Sequence, residues 1–208
     1  MYTDAFIVLA TTLALLYSHT PPNPHPTGPQ RNSVAFSTFS ERFLVEWALA
    51  TKILACPLAV AEIYSSPSHR DNRVDTRAVG AAIAVAAAFL RAWCFNLLGS
   101  RFTFYLATHS STGLVTRGPY ALVRHPSYLA LVGGFFGTAI VFVGPGSLFS
   151  TYTPTWFMLI ACIATTLSIA WPVFSRIPME EAMLAKEFGD DWRRYAERVK
   201  SRVIPGLW

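Results

Sequence analysis

Two stretches of the 208-residue chain hold the residue types and spacings that could do chemistry. The first reads Gly113-Leu114-Val115-Thr116-Arg117-Gly118-Pro119-Tyr120 and continues through Val123-Arg124-His125-Pro126-Ser127-Tyr128. The second begins at Arg176 and carries Glu180, Glu181, Leu184, Phe188, Trp192 and Tyr195. Gly118-Pro119 and His125-Pro126 each interrupt a helix, because proline has no N–H to donate and biases its predecessor away from helical angles. Irregular backbone near a membrane survives only where protein or ligand covers it, so two breaks just before an apolar run fit a lined pocket. They fit equally a loop that ends with proline in the first turn of a helix and leaves His125 at the interface. The linker from Gly99 to Arg124 holds Arg101, Arg117 and Arg124 and no acidic residue, which suits an anionic ligand group. Metal chemistry is not expected: Cys56, Cys94 and Cys162 each stand alone in an apolar run, as core residues would, with no CxxC pair and no neighbouring His.

The elements that must position these residues are membrane helices. Apolar residues make up 52% of the chain and charged ones only 14%, where a soluble domain carries roughly 25% charged residues. Five apolar runs can be marked, at Tyr2–Tyr17, Phe43–Tyr64, Val79–Leu98, Tyr128–Val143 and Trp156–Phe174. A spanning helix needs about 20 residues, and as few as about 17 can serve. The first run has Asp4 and no basic residue at its start, and no clear cleavage site follows, so it reads as a retained helix rather than a signal peptide. Gly133 and Gly137 have the spacing that allows close helix contact, although glycine is common in membrane helices in any case.

Between the runs lie the proline-rich stretch Thr20 to Asn32, the short polar turn Ser65 to Arg77, and the uncharged connection Gly144 to Thr155. After the last run, Pro178, Glu180 and Glu181 suit a first turn, and Leu184, Phe188, Trp192, Tyr195 and Val199 recur at helical spacing. This predicts one amphipathic interfacial helix with Lys186, Arg193, Arg194 and Arg198 towards headgroups or water. The fold class expected is all-α, a polytopic bundle of about five transmembrane helices in one domain, closed by that helix. With the C-terminus cytosolic, the linkers on that side carry 2, 3 and 7 of the 17 basic residues, the other side carries 3, and Lys52 and Arg91 fall inside spans. The positive-inside rule favours this orientation. Scattering of the basic residues between apolar runs argues against nucleic-acid binding despite the net charge of +5.

The string L-V-T-x-G-P-Y-x-x-x-R-H-P-S-Y, followed by Arg176-x-x-x-Glu180-Glu181-x-x-Leu184-x-x-x-Phe188-Gly189-x-x-Trp192-x-x-Tyr195, resembles the isoprenylcysteine carboxyl methyltransferase family. The resemblance covers roughly residues 97 to 208. It implies a catalytic core over 99–208 and divergent N-terminal spans over 1–98, with S-adenosylmethionine as cofactor. By the same resemblance Thr112, Gly113, Leu114 and Val115 contact the cofactor, Tyr120 packs on it, His125, Pro126, Ser127 and Tyr128 line it, and Glu180 accepts its hydrogen bonds. Arg176 takes the place of the catalytic, substrate-contacting arginine. Glu180 could instead be only a favourable charge on a helix N-terminus, worth about 0.3–1 kcal/mol, as Glu181 could. Arg176 could instead only snorkel from a helix end.

The implied reaction is methylation of the C-terminal carboxylate of a prenylated cysteine in CaaX-type proteins. It would take place on the cytosolic face of the endoplasmic reticulum membrane, with prenylated protein C-termini and membrane lipid as partners. A carboxylate is ionised near neutral pH and needs alignment rather than a general base. A phospholipid or small-amine methyltransferase is the alternative enzyme. Its protonated amine would need a base, and no spare carboxylate or His beyond the family positions is obvious. A non-catalytic scaffold or transporter would instead use Arg91, Glu46 and Glu62 as polar pathway residues.

Overall fold

The structure, a computed structural model, describes residues 2–20, 39–64, 76–99 and 113–207, with side chains described from Asp4 in the first stretch and from Glu46 in the second. Seven α-helices are described: α1 (Tyr2–Ser18), α2 (Phe39–Tyr64), α3 (Thr76–Leu98), α4 (Pro126–Val143), α5 (Thr155–Ser175), α6 (Ile177–Phe188) and α7 (Asp190–Arg198). Short 3-10 turns lie at Gly118–Ala121 and Phe149–Thr151. No strand occurs among the described residues.

Four helices are long and apolar enough to cross a membrane, namely α2 to α5, and α1 is a shorter apolar helix over Asp4–Ser18. The chain is thus a multi-pass membrane protein. The apolar run of α5 continues into α6, but α5 alone has 21 residues, roughly 31 Å at 1.5 Å per residue, which matches the hydrocarbon thickness. We read α5 as the span and α6 as lying beyond it, since Glu180, Glu181 and Lys186 all fall after Pro178. Hydroxyls within the spans return their hydrogen bonds to the helix: Thr11, Thr12, Thr138 and Thr166 each donate to the carbonyl four residues back.

Helix α1 supplies both halves of the core. Leu15 packs with Ala55, Leu131, Phe135, Ile169 and Val173, and Ile7 and Val8 pack with Ala59, Ala81 and Val141. The closest helix contact is between α3 and α4. A methyl group on Gly137 would sit 2.5 Å from the Gly80 carbonyl oxygen and 2.6 Å from the Ala84 nitrogen, whereas one on Gly133 would meet only the Ala87 methyl at 3.8 Å. Of the two expected glycines, Gly137 therefore makes the close approach, and its partner is Gly80.

Polar locks tie the two ends of the bundle. At one end, Arg77 pairs with Glu62 at 2.9 Å and donates to the Gly146 carbonyl, while both Glu62 oxygens accept from the Leu148 N–H at 3.0 Å. Arg77 is thus the buried start of α3 rather than part of a solvated turn. At the other end, buried Arg91 donates from Nε to the Ser18 carbonyl at 2.7 Å and from Nη1 to the Ser127 carbonyl and hydroxyl at 3.0 and 2.8 Å. Of the three side chains read as possible pathway residues of a transporter, Arg91 and Glu62 are engaged in holding helices together and Glu46 is exposed.

Two expectations need correction. The predicted single amphipathic helix is two, because Gly189 takes a φ of +51° that ends α6, and Asp190 and Asp191 sit in the first turn of a new helix. Cys94 and Cys162 are buried, but Cys56 is exposed, on a side of α2 that also exposes Ile53, Leu54 and Val60. An apolar residue on a lipid-facing side fits the same hydropathy as a core residue, so the sequence pattern does not separate them.

Candidate functional site

The site grows from the first turn of α4. Pro126 opens the helix with its ring at a position that needs no donor, and His125 caps it in a non-helical conformation. That leaves the N–H groups of Arg124 and His125 to find acceptors elsewhere. They donate to the Ser201 and Arg202 carbonyls at 3.0 and 2.7 Å, and Arg124 Nη2 donates to the Lys200 carbonyl at 3.0 Å. The C-terminal segment therefore lies along the break before α4.

Side chains from α4 and α6 meet across this break. The Tyr128 hydroxyl donates to Glu180 Oε2 at 2.6 Å, and His125 Nδ1 lies 3.7 Å from the same oxygen. His125 Nε2 is hydrogen-bonded to Glu181 Oε1 at 3.2 Å, and its ring stacks on Tyr128 with centroids 5.5 Å apart. Glu181 also pairs with Arg124 at 2.9 Å and with Arg202 at 3.3 Å. Burial alone would raise the Glu181 carboxyl, but the hydrogen bond to His125 and the charges of Arg124, His125 and Arg202 outweigh it and hold the group below its ordinary value. Glu180 keeps 31% of its side chain exposed beside this cluster. Arg176, one turn before Glu180, is only 4% exposed and lies within electrostatic reach of Tyr128.

The preceding turn is fixed by packing. Gly118 has a φ of +62°, and a methyl group there would lie 2.8 Å from Leu97. Pro119 and Tyr120 are buried behind it. The Tyr120 carbonyl accepts from the Tyr195 hydroxyl at 2.8 Å, and its phenol is held well above its usual range, first by burial and then by the nearby Cys94 and Glu180. Leu114 packs with Leu184 and Phe188 against Trp192, Tyr195 and Val199. Burial similarly pushes the Tyr195 phenol up to about 12.

The structure thus brings Leu114, Tyr120, His125, Pro126, Ser127, Tyr128, Glu180 and Arg176 to one end of the bundle. Gly113 is exposed and Val115 is half-buried at the start of the same segment, and Thr112 lies outside the described residues. Of the three arginines expected to meet an anion, Arg101 lies outside the described residues, Arg117 is exposed, and Arg124 is engaged by Glu181. Sequence reasoning missed Glu181 as a junction and Ser201 and Arg202 altogether, and it named Arg91 as a residue inside a span without its role as a lock. No local pattern signals them, because their contacts span 21 to 77 residues of chain.

The geometry defines a helical membrane bundle with a cluster of polar side chains at the start of α4 and the end of α5, built by two separated motifs. Residues 80–186 match the Isoprenylcysteine carboxyl methyltransferase (ICMT) family, and the chain belongs to that family. It is similar to a probable protein-S-isoprenylcysteine O-methyltransferase of Oryza sativa subsp. indica, at 29% identity over 126 residues, 59% of this chain and 58% of that protein. It also resembles the protein-S-isoprenylcysteine O-methyltransferases of Tribolium castaneum, 29% identical over 60% of this chain and 40% of that one, and of Schizosaccharomyces pombe, 33% identical over 55% and 44%. The chain thus matches about two fifths to three fifths of the length of these curated relatives.

Proposed function

We propose that this protein transfers a methyl group from S-adenosylmethionine to the C-terminal carboxylate of a prenylated cysteine, at the cytosolic end of the bundle in the endoplasmic reticulum membrane. The observation that carries the proposal is the junction of Tyr128 and Glu180, 2.6 Å apart, next to the buried guanidinium of Arg176. The names of the relatives supply the acceptor, and family membership supplies the reaction class.

The donor set fits the cofactor. An amino acid with a sulfonium group is cationic at its amine and at sulfur, and Glu180 offers a partly exposed carboxylate fixed by the Tyr128 hydroxyl. The nucleoside end calls for apolar cover, which Leu114, Val115 and the cluster around Trp192 can give. When bound, S-adenosylmethionine supplies an electrophilic methyl group. His125, Pro126 and Ser127 would line the cofactor, with Gly113 at the start of the same segment, while Thr112 lies outside the described residues.

The chain's own residues then have a positioning task. A prenylcysteine carboxylate has a pKa of about 3.3–3.7 and is already a nucleophile at neutral pH, so no base is required. Arg176 would orient it with a planar fork, and its burial supports this reading over a snorkelling anchor. Exclusion of water by the buried surroundings strengthens that pairing. An apolar groove of about 550 Å³ on α5, lined by Leu167, Ala170, Trp171, Phe174 and Ser175, suits a lipid chain. The working residues come from 113–128 and 176–202, and Arg91 ties them to α1, so the N-terminal spans are a structural part of the catalytic unit.

A radiolabelled methyl-transfer assay tests the proposal by offering farnesylcysteine analogues and phosphatidylethanolamine to the same membranes. Labelled methyl ester is expected. Label in the phospholipid alone would transfer the assignment to an amine acceptor, and no label in either would remove it.

A further inference from the structure

Beyond α7 the chain runs as a short irregular segment, held down by Val199 and Val203, which are both buried. Between them, three successive residues address the start of α4. The Lys200 carbonyl takes Arg124 Nη2, the Ser201 carbonyl takes the Arg124 N–H, and the Arg202 carbonyl takes the His125 N–H. The Arg202 side chain returns to the same place, with Nε 3.3 Å from Glu181 Oε2. Glu181 Oε1 is held by Arg124 and His125, so the two oxygens of one carboxylate are gripped from opposite sides. Lys200, Ser201 and Arg202 all lie past residue 186, where the match to the family ends.

The consequence falls on His125. A carboxylate that accepts from Nε2 fixes the plane of the ring and with it the edge that carries Nδ1. That edge faces the Glu180 oxygen, 3.7 Å away. Without Arg202, Glu181 keeps only one oxygen anchored and can turn about its side chain, and the plane of His125 is no longer set. We propose that Arg202 is a positioning residue for S-adenosylmethionine binding, acting through Glu181 to hold His125 and Glu180 in one arrangement. This inference rests on the function proposed above.

The experiment uses full-length protein in nanodiscs and measures S-adenosylmethionine affinity by calorimetry for wild type, Arg202→Ala, Arg202→Lys, Glu181→Gln and the double variant Arg202→Ala/Glu181→Gln. Arg202 is 33% exposed, so removing it should weaken binding by about three- to tenfold rather than abolish it. Lys keeps the charge that Glu181 needs and should recover most of the affinity. Because Arg202 acts through Glu181, the double variant should bind no worse than Glu181→Gln alone. In ligand-free protein, hydrogen exchange at the Arg124 and His125 amides should quicken in Arg202→Ala, with α3 and the body of α4 unchanged. If Arg202→Ala does not fold, Arg202→Gln, which removes the charge but keeps a polar side chain, is judged by the same criteria. Affinity within twofold of wild type, or losses that simply add in the double variant, would overturn the inference. Failure of the wild type itself to bind S-adenosylmethionine would instead overturn the proposed function.

Discussion

Arg176 and Glu181 stand at the same end of the bundle, and the role proposed for each can be separated from its plainer one by one substitution. Lysine at 176 keeps a positive charge but loses the planar fork, so a carboxylate clamp fails where a simple charge requirement would not. Arg176→Lys is expected to lower kcat/KM for a farnesylcysteine analogue by about ten- to a hundredfold, the equivalent of one hydrogen bond to a charged group. S-adenosylmethionine affinity should change much less, and full activity in the Lys variant would remove the clamp. Glu181 carries a pH signature. Its carboxyl is held below the ordinary 4.5 in the folded protein, so its stabilising contribution is complete above that value and is lost as pH falls through the depressed one. Thermal unfolding followed between about pH 3 and 7 should show Tm falling on the acid side, with a shallower fall in Glu181→Gln. Identical acid limbs in the two proteins would show that Glu181 is not held ionised by its three basic neighbours.

At the scale of elements, what was legible in the sequence was what depends on local pattern. Hydropathy locates five helices to within a few residues, because the length needed to cross a bilayer is fixed by its thickness. Gly118-Pro119 and His125-Pro126 mark the breaks that build the cleft, because proline acts on its own neighbours. The partner of each element was not legible. Nothing near Gly137 names Gly80, nothing near Glu181 names Arg202, and the split at Gly189 is hidden because the apolar residues on both sides still fall at helical spacing. The α3–α4 contact gives a test at this scale. Gly137→Ala puts a methyl group 2.5 Å from a backbone oxygen and forces the helices apart, which should cost about 1–3 kcal/mol. Gly133→Ala adds the same atom at ordinary contact distance and should be close to neutral. Thermal unfolding in one detergent, with both variants in parallel, decides. Equal Tm values would mean that the helices do not approach as closely as Gly137 and Gly80 require.

For the whole molecule, the alternation of helices separates two ends with different work. The Glu62–Arg77 lock gathers the end of α2, the start of α3 and the loop after α4, while Ser18, Arg91, Ser127 and the C-terminal segment gather at the other end with the cleft. Charge follows the same division, with 12 basic residues assigned to the side of the cleft and 3 to the other. The positive-inside rule favours the cytosolic placement proposed for this end, and it makes Ser201 and the exposed Tyr152 markers of opposite faces. With the exposed Cys56 replaced by serine, which leaves only the buried Cys94 and Cys162, the variants Ser201→Cys and Tyr152→Cys in sealed vesicles of known orientation should react with a membrane-impermeant thiol reagent from opposite sides. Labelling of Ser201→Cys from the cytosolic side alone is expected. Labelling of both variants from one side would contradict the five-helix alternation itself, and Ser201→Cys reacting only from the far side would turn the bundle over and take the cleft away from any cytosolic prenylated substrate.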